Sequence, residues 1–300
     1  MPAIFGVTSN TAGLMTPRFA LPLLPLRALA VACLAAALDA APLAAQSVEY
    51  RSPAGVDYRA RPDTGPIARA QSALDRDPTN VDLIIALGLA QSGAQQFRAA
   101  VQTFTRGLAT APDNATLYRW RGHRYLSLRE FDKARADLAR GLEIAPTNYG
   151  ILFHLGIIHF IRGEFATAAE LFRRAQPVAP NPGELAGSTD WRWMSLARAG
   201  RMAEAKAMLD QRPDSLPVDP NYGYARRLAL YRGTIQPGDL IRERDDDTTV
   251  ATLAFGLGNW HLVRGDTAAA RAMFQRAVAS GGWAAFGFIL SEVELARARP

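Results

Sequence analysis

A single cysteine, Cys33, occurs among the 300 residues, which excludes a disulfide framework. Lysine is nearly as scarce. Lys133 and Lys206 are the only two, so arginine carries the rest of the positive charge behind a formal net charge of +6. The arginines are interspersed with acids and form no basic stripe with stacking aromatics, which argues against a nucleic-acid partner. Catalytic signatures are missing as well: there is no Gly-x-Ser-x-Gly elbow, no phosphate-cradling glycine loop with lysine and no His-Glu-x-x-His helix. Glu243, Asp245, Asp246 and Asp247 lack the spacing of a calcium loop and read as the acidic start of a helix. No cofactor or metal is expected, and no catalytic residue stands out.

Charge is also sparse at the N-terminus, where only Arg18, Arg27 and Asp39 precede Gln46. Behind Arg27 runs an apolar stretch of eleven residues, Ala28 to Leu38. A membrane-spanning helix needs roughly 20, and Pro22 and Pro25 block an extension. The pattern fits a secretory leader over residues 1–45 with cleavage near Ala45, and Met15 offers a second start. Cys33 would leave with that leader. Membrane association would need either a retained leader or lipidation at Cys33, whose flank Leu29-Ala30-Val31-Ala32 resembles a lipobox poorly. The expected location is therefore outside the cytoplasm, in the periplasm or envelope of a bacterium.

What the sequence has in abundance is self-similarity. Gly88, Gly122 and Gly156 are 34 residues apart, as are Phe97, Phe131 and Phe165, Ala100, Ala134 and Ala168, and Pro112, Pro146 and Pro180. A period of this length means one supersecondary unit per repeat. It resembles the tetratricopeptide repeat (TPR), a helix–turn–helix unit. That resemblance implies an all-α, right-handed α-solenoid with units at 81–114, 115–148, 149–182 and 186–219. A partial unit begins the array at 64, after an irregular segment 46–63. A three-residue insertion, Gly183 to Leu185, separates units three and four. An irregular helical insert covers 220–250, and a final unit and capping helix cover 251–300. His159 and His261 fall at a packing position of their units. The overall order resembles a bacterial periplasmic TPR adaptor lipoprotein, most clearly over Leu228 to Ala296, and departs from it in lacking a convincing lipobox.

The resemblance also implies a concave groove lined by the first helix of each unit. Carried onto this sequence, the inward positions include Arg119, Trp120, His123, Phe153, His154, Ile157, Phe160 and Trp191. Facing positions of successive units pair His123 with His154, and Arg119 lies one turn before His123. This trio is expected to hold an acidic or C-terminal carboxylate, with the aromatics holding apolar side chains beside it. Family members that clamp chaperone C-termini use Lys and Asn at positions occupied here by Ile85 and Leu89. Two arrangements stand open at this level: a groove free for a peptide, or aromatics covered by a neighbouring helix of the same chain. The function expected is non-catalytic protein or peptide binding. The alternatives are an enzyme site assembled across repeats and a homo-oligomer that fills its own groove.

Overall fold

The computed structural model describes residues 47–211, 219 and 222–298. The leader read at 1–45 and the segment around Pro217 lie outside these residues. Thirteen α-helices are present among the described residues. They are α1 (Pro66–Leu74), α2 (Val81–Gly93), α3 (Phe97–Thr110), α4 (Ala115–Ser127), α5 (Phe131–Ile144), α6 (Tyr149–Ile161) and α7 (Phe165–Ala175). There follow α8 (Pro182–Arg198), α9 (Met202–Asp210), α10 (Gly223–Arg232), α11 (Asp247–Leu262), α12 (Thr267–Ala279) and α13 (Phe286–Arg297).

The repeat columns have direct local causes. Asn80, Asn114 and Asn148 each cap the next helix through a side-chain oxygen, which accepts from Leu83, Leu117 and Ile151 amides respectively. The conserved spacing of small and large residues is a contact within each unit. A Cβ at Gly156 would sit 2.7 Å from the Phe172 ring, and one at Gly122 would sit 2.9 Å from Leu138. Glycine is what lets the paired helices approach that closely. Successive pairs α2/α3, α4/α5, α6/α7 and α8/α9 stack in order, so the TPR α-solenoid is present.

One segment differs from the sequence expectation, and one insertion acquires a definite conformation. Residues 46–63, expected to be irregular, contain an antiparallel hairpin of β1 (Val48–Arg51) and β2 (Asp57–Arg59). An isolated two-stranded hairpin is marginal in water. Here Tyr50 and Tyr58 stack on Trp283, with ring centroids 6.3 and 5.7 Å away, and the Arg129 guanidinium lies 3.8 Å from the Tyr50 ring. Gly183 to Leu185, the insertion between units three and four, are helical. Asn181 caps the Glu184 amide and Pro182 opens α8, so the inserted residues become an extra helical turn.

The C-terminal helix α13 is more than a solvating cap. It packs on α11 and α12 and reaches the ends of several first helices of the array. Glu292 pairs with Arg129 at 2.9 Å and Glu294 with Arg198 at 3.0 Å, while an Arg297 guanidinium nitrogen donates to the Ile161 carbonyl. Ile289 and Leu290 join the core cluster that holds Phe160, Phe172 and Trp191.

Candidate functional site

The concave face begins with α4 and α6, whose Asn caps set the helix starts and hence which side chains face inward. On α4, Arg119 lies over the Trp120 ring at 4.2 Å, and Trp120 stacks on His123 with centroids 6.0 Å apart. On α6, His154 meets His123 across the inter-helix gap at 4.1 Å between ring centroids. The structure therefore brings Arg119, Trp120, His123 and His154 together in one cluster.

The remaining groove residues are not open to a peptide, and the free groove must be corrected on this point. Phe153, His154, Ile157, Phe160 and Trp191 are all buried. Phe286 of α13 covers the near end, 5.4 Å from His123, 5.7 Å from His154 and 6.3 Å from Phe153. Phe255 of α11 packs on Trp191 at 5.5 Å, and Trp191 Nε1 donates to the Tyr224 hydroxyl of α10 at 3.4 Å. Helix α6 is buried at all but one of its positions. A helix apolar on every side must be covered all round, and α10, α11 and α13 supply the cover. Arg119, Trp120 and His123 alone among the predicted groove residues keep partial exposure.

Electrostatics at this cluster are set by burial. Burial first, then the neighbouring Arg124, His154 and Arg119, hold the His123 imidazole well below the usual histidine range. Burial and Arg119 push His154 down to about 3, against the favourable bond from its Nδ1 to the Gly150 carbonyl at 2.5 Å. Both rings are thus neutral near pH 7. Burial also lowers the Arg124 guanidinium to about 10. Nε of Arg119, Nε of Arg124 and Nδ1 of His123 are buried without a hydrogen-bond partner. His123 also lines a cleft of about 310 Å³, together with Tyr222, Tyr224, Thr248, Thr252 and Phe286.

Sequence reasoning missed the groups that close the groove from the far side. Arg227 of α10 pairs with Asp190 of α8 at 2.8 Å, and both side chains are fully buried. Burial raises the Asp190 carboxyl to about 7, against the opposing pull of Arg227. Arg227 Nε also donates to the Tyr231 hydroxyl at 3.3 Å. The one available signal was an arginine on the helical face of Tyr224 and Tyr231, at i+3 from one and i−4 from the other, where a charge requires a partner. His159 and His261 sit at the helix turns, 2.5 Å from Glu164 and 3.5 Å from Asp266. Among the described residues no three His, Cys, Asp or Glu side chains converge to hold a metal ion. Nor is any described helix long and apolar enough to cross a membrane.

The profile of the tetratricopeptide repeat family matches residues 85–149 and 121–184. Residues 85–184 therefore carry tetratricopeptide repeats, in the stretch where the helix pairs α2/α3, α4/α5 and α6/α7 stack. It is 30% identical over 82 residues to protein SGT1 homolog of Bos taurus, covering 27% of this chain and 24% of that one. The chain thus spans about a quarter of the length of that curated relative. Among solved structures it is similar to MamA AMB-1, with 26% identity, 48% of this chain and 77% of that one covered, and a TM-score of 0.39. YrrB, described as a TPR protein with an unusual peptide-binding site, matches at 16% identity over 70% of this chain and 91% of its own, TM-score 0.44. A tetratricopeptide repeat protein from Parabacteroides merdae matches at 17% identity over 72% and 85%, TM-score 0.47.

Proposed function

We propose that the protein is a non-catalytic adaptor of the bacterial envelope that holds an acidic or C-terminal carboxylate segment of a protein partner at the mouth of its concave side. The observation that carries this reading is the cationic cluster on α4. Nε of Arg119, Nε of Arg124 and Nδ1 of His123 are buried without a hydrogen-bond partner, and His123 lines a cleft whose described lining contains no carboxylate. A buried N–H left without an acceptor is costly. An incoming carboxylate would supply charge-assisted bonds of the kind arginine makes best. Trp120 and Phe286 flank that position with apolar surface. Export is supported by the basic flank at Arg27 and the apolar run Ala28 to Leu38.

Fluorescence anisotropy with labelled peptides tests the binding part. Peptides with a free C-terminal carboxylate are expected to bind about tenfold more tightly than their amidated forms. The double substitution Arg119→Ala, His123→Ala is expected to erase that difference. Unchanged affinity in the double variant rejects the carboxylate role. For export, an alkaline phosphatase fused after the leader becomes active only outside the cytoplasm, and an inactive fusion rejects the envelope assignment.

A further inference from the structure

The turn between the two helices of each unit places one residue in the left-handed region, and in the later units that residue is glycine: Gly163, Gly200 and Gly265. The first two units have Gln95 and Arg129 there instead, at φ 56° and 63°. Among the described residues these are the only non-glycine residues with positive φ. Such backbone is unfavourable for a residue with a side chain and persists where contacts over-determine it. Both side chains converge on Trp283. Its Nε1 donates to Gln95 Oε1 at 3.2 Å, and Arg129 Nη2 donates to its carbonyl at 2.9 Å. The N-terminal hairpin closes on the same place. Glu292 accepts from the Tyr50 hydroxyl on one oxygen at 2.8 Å and from Arg129 on the other at 2.9 Å. The buried Glu49 carboxylate accepts the Arg98 amide at the start of α3, where Gln96 offers no side-chain cap.

We propose that the β1–β2 hairpin is a strap that fastens a lid over the α4 cluster, a regulation that rests on the cluster being the carboxylate site. With the strap seated, Trp283 holds Phe286 against the cluster; undocking of the strap lets Phe286 withdraw and admits the partner segment. The lever is short. Trp283 lies three residues before Phe286, in a turn where the Trp283 amide donates to the Gly281 carbonyl and the Ala285 amide to the Gly282 carbonyl. Phe286 then stands 5.4 Å from His123 and 5.7 Å from His154. The strap is the part able to let go. Strands of four and three residues are marginal alone, and Tyr50 and Tyr58 hold them to the body through Trp283 and Phe288. Local opening draws on such elements. The remainder of α13 is fixed in the core by Phe288, Ile289 and Leu290, which confines the movement to the turn and to Phe286.

Hydrogen exchange of the full chain, followed by mass spectrometry, reads the lid without any ligand. Tyr50→Ala with Tyr58→Ala is expected to speed exchange over residues 281–289 at least about tenfold, with α6 unchanged. Gln95→Gly is the sharper variant. It removes the bond to Trp283 while easing the left-handed backbone, so a merely structural Gln95 predicts unchanged or slower exchange and an equal or higher Tm. A latch predicts exchange over 281–289 about fivefold faster. Binding is read by anisotropy with a fluorescein-labelled peptide ending in a free carboxylate. The double variant is expected to bind it about tenfold more tightly than wild type, because apparent affinity follows the open fraction. Unchanged exchange over 281–289 in both variants overturns the strap. Equal, carboxylate-dependent binding by wild type and double variant also overturns it, and leaves the carboxylate site standing. Faster exchange together with binding that ignores amidation in both proteins rejects the carboxylate site and leaves the strap fastening the lid. If the double variant loses its cooperative melt, Tyr50→Phe, which removes only the hydroxyl bond to Glu292, carries the same comparison at smaller amplitude.

Discussion

Acidification from pH 7 to pH 5 is expected to destabilise the fold through His154, and His154→Phe is expected to remove that contribution. In the folded chain the ring is buried, its Nδ1 donates to the Gly150 carbonyl at 2.5 Å, and burial with Arg119 holds it down to about 3. The unfolded chain titrates near the ordinary histidine value of about 6.5. Because the folded value lies below the unfolded one, the unfolded state takes up the proton first. Stability present above pH ~6.5 is therefore lost as the pH falls toward 3. Each unit is worth about 1.4 kcal/mol, so at pH 5 the loss is about 2 kcal/mol. For a chain of this size that corresponds to roughly 4–8 °C in Tm. His123, held low by burial, Arg124, His154 and Arg119, acts in the same direction. Asp190 acts oppositely: raised by burial to about 7, it takes up a proton in the fold as the pH drops and adds stability over the same window. Asp190 is common to wild type and variant, so the comparison isolates the histidine. Asp57, Glu164 and Asp245 are held below the usual carboxylate range by their arginine partners and titrate outside this window. Thermal unfolding followed by circular dichroism at pH 7 and pH 5 reads the effect. The drop in Tm is expected to be about 4–8 °C smaller in His154→Phe. Loss of the bond to Gly150 lowers both variant points by about 1 kcal/mol and leaves their difference intact. Parallel pH dependence in the two proteins would refute the assignment of a buried, neutral His154.

Two further outcomes follow from the packing. Arg227→Ala leaves the Asp190 carboxyl buried without its partner and is expected to cost about 3–5 kcal/mol in urea unfolding, whereas Asp190→Leu with Arg227→Met recovers most of it; equal loss in both rejects the pairing. Gly156→Val forces a side chain against the Phe172 ring and is expected to cost at least about 1–3 kcal/mol, while Gly93→Ala, which meets open space, is expected to gain roughly 0.5 kcal/mol by chemical denaturation.

Much of the fold was legible because its causes are short in sequence. The contacts between Gly156 and Phe172 or Gly122 and Leu138 span sixteen residues, and the asparagine caps act over three. A column repeated at 34 residues therefore reports a contact directly. The pairing of His123 with His154, 31 residues apart, was legible only through the facing positions that the repeat resemblance implies. The extra turn at the start of α8 was less legible, since an insertion reads alike as loop or helix until Asn181 and Pro182 are seen to cap and open it. The hairpin was not legible: Tyr50 and Tyr58 owe their order to Trp283, more than two hundred residues away.

The sequence alone determined the repeating unit and the helix pairs, and the resemblance it carries implied the inward stripe of Arg119, Trp120, His123, Phe153, His154, Ile157, Phe160 and Trp191. It also determined the absence of the motifs that carry common chemistries. Tertiary structure alone decided that most of this stripe is core. Apolar side chains at helical spacing look the same whether a partner or the chain itself covers them, because burial is non-directional and leaves no mark on local spacing. Phe255, Phe286 and Tyr224 provide the cover, and each lies on a helix that returns from the far end of the chain. That return shut the central groove and left the α4 cluster partly exposed at its mouth.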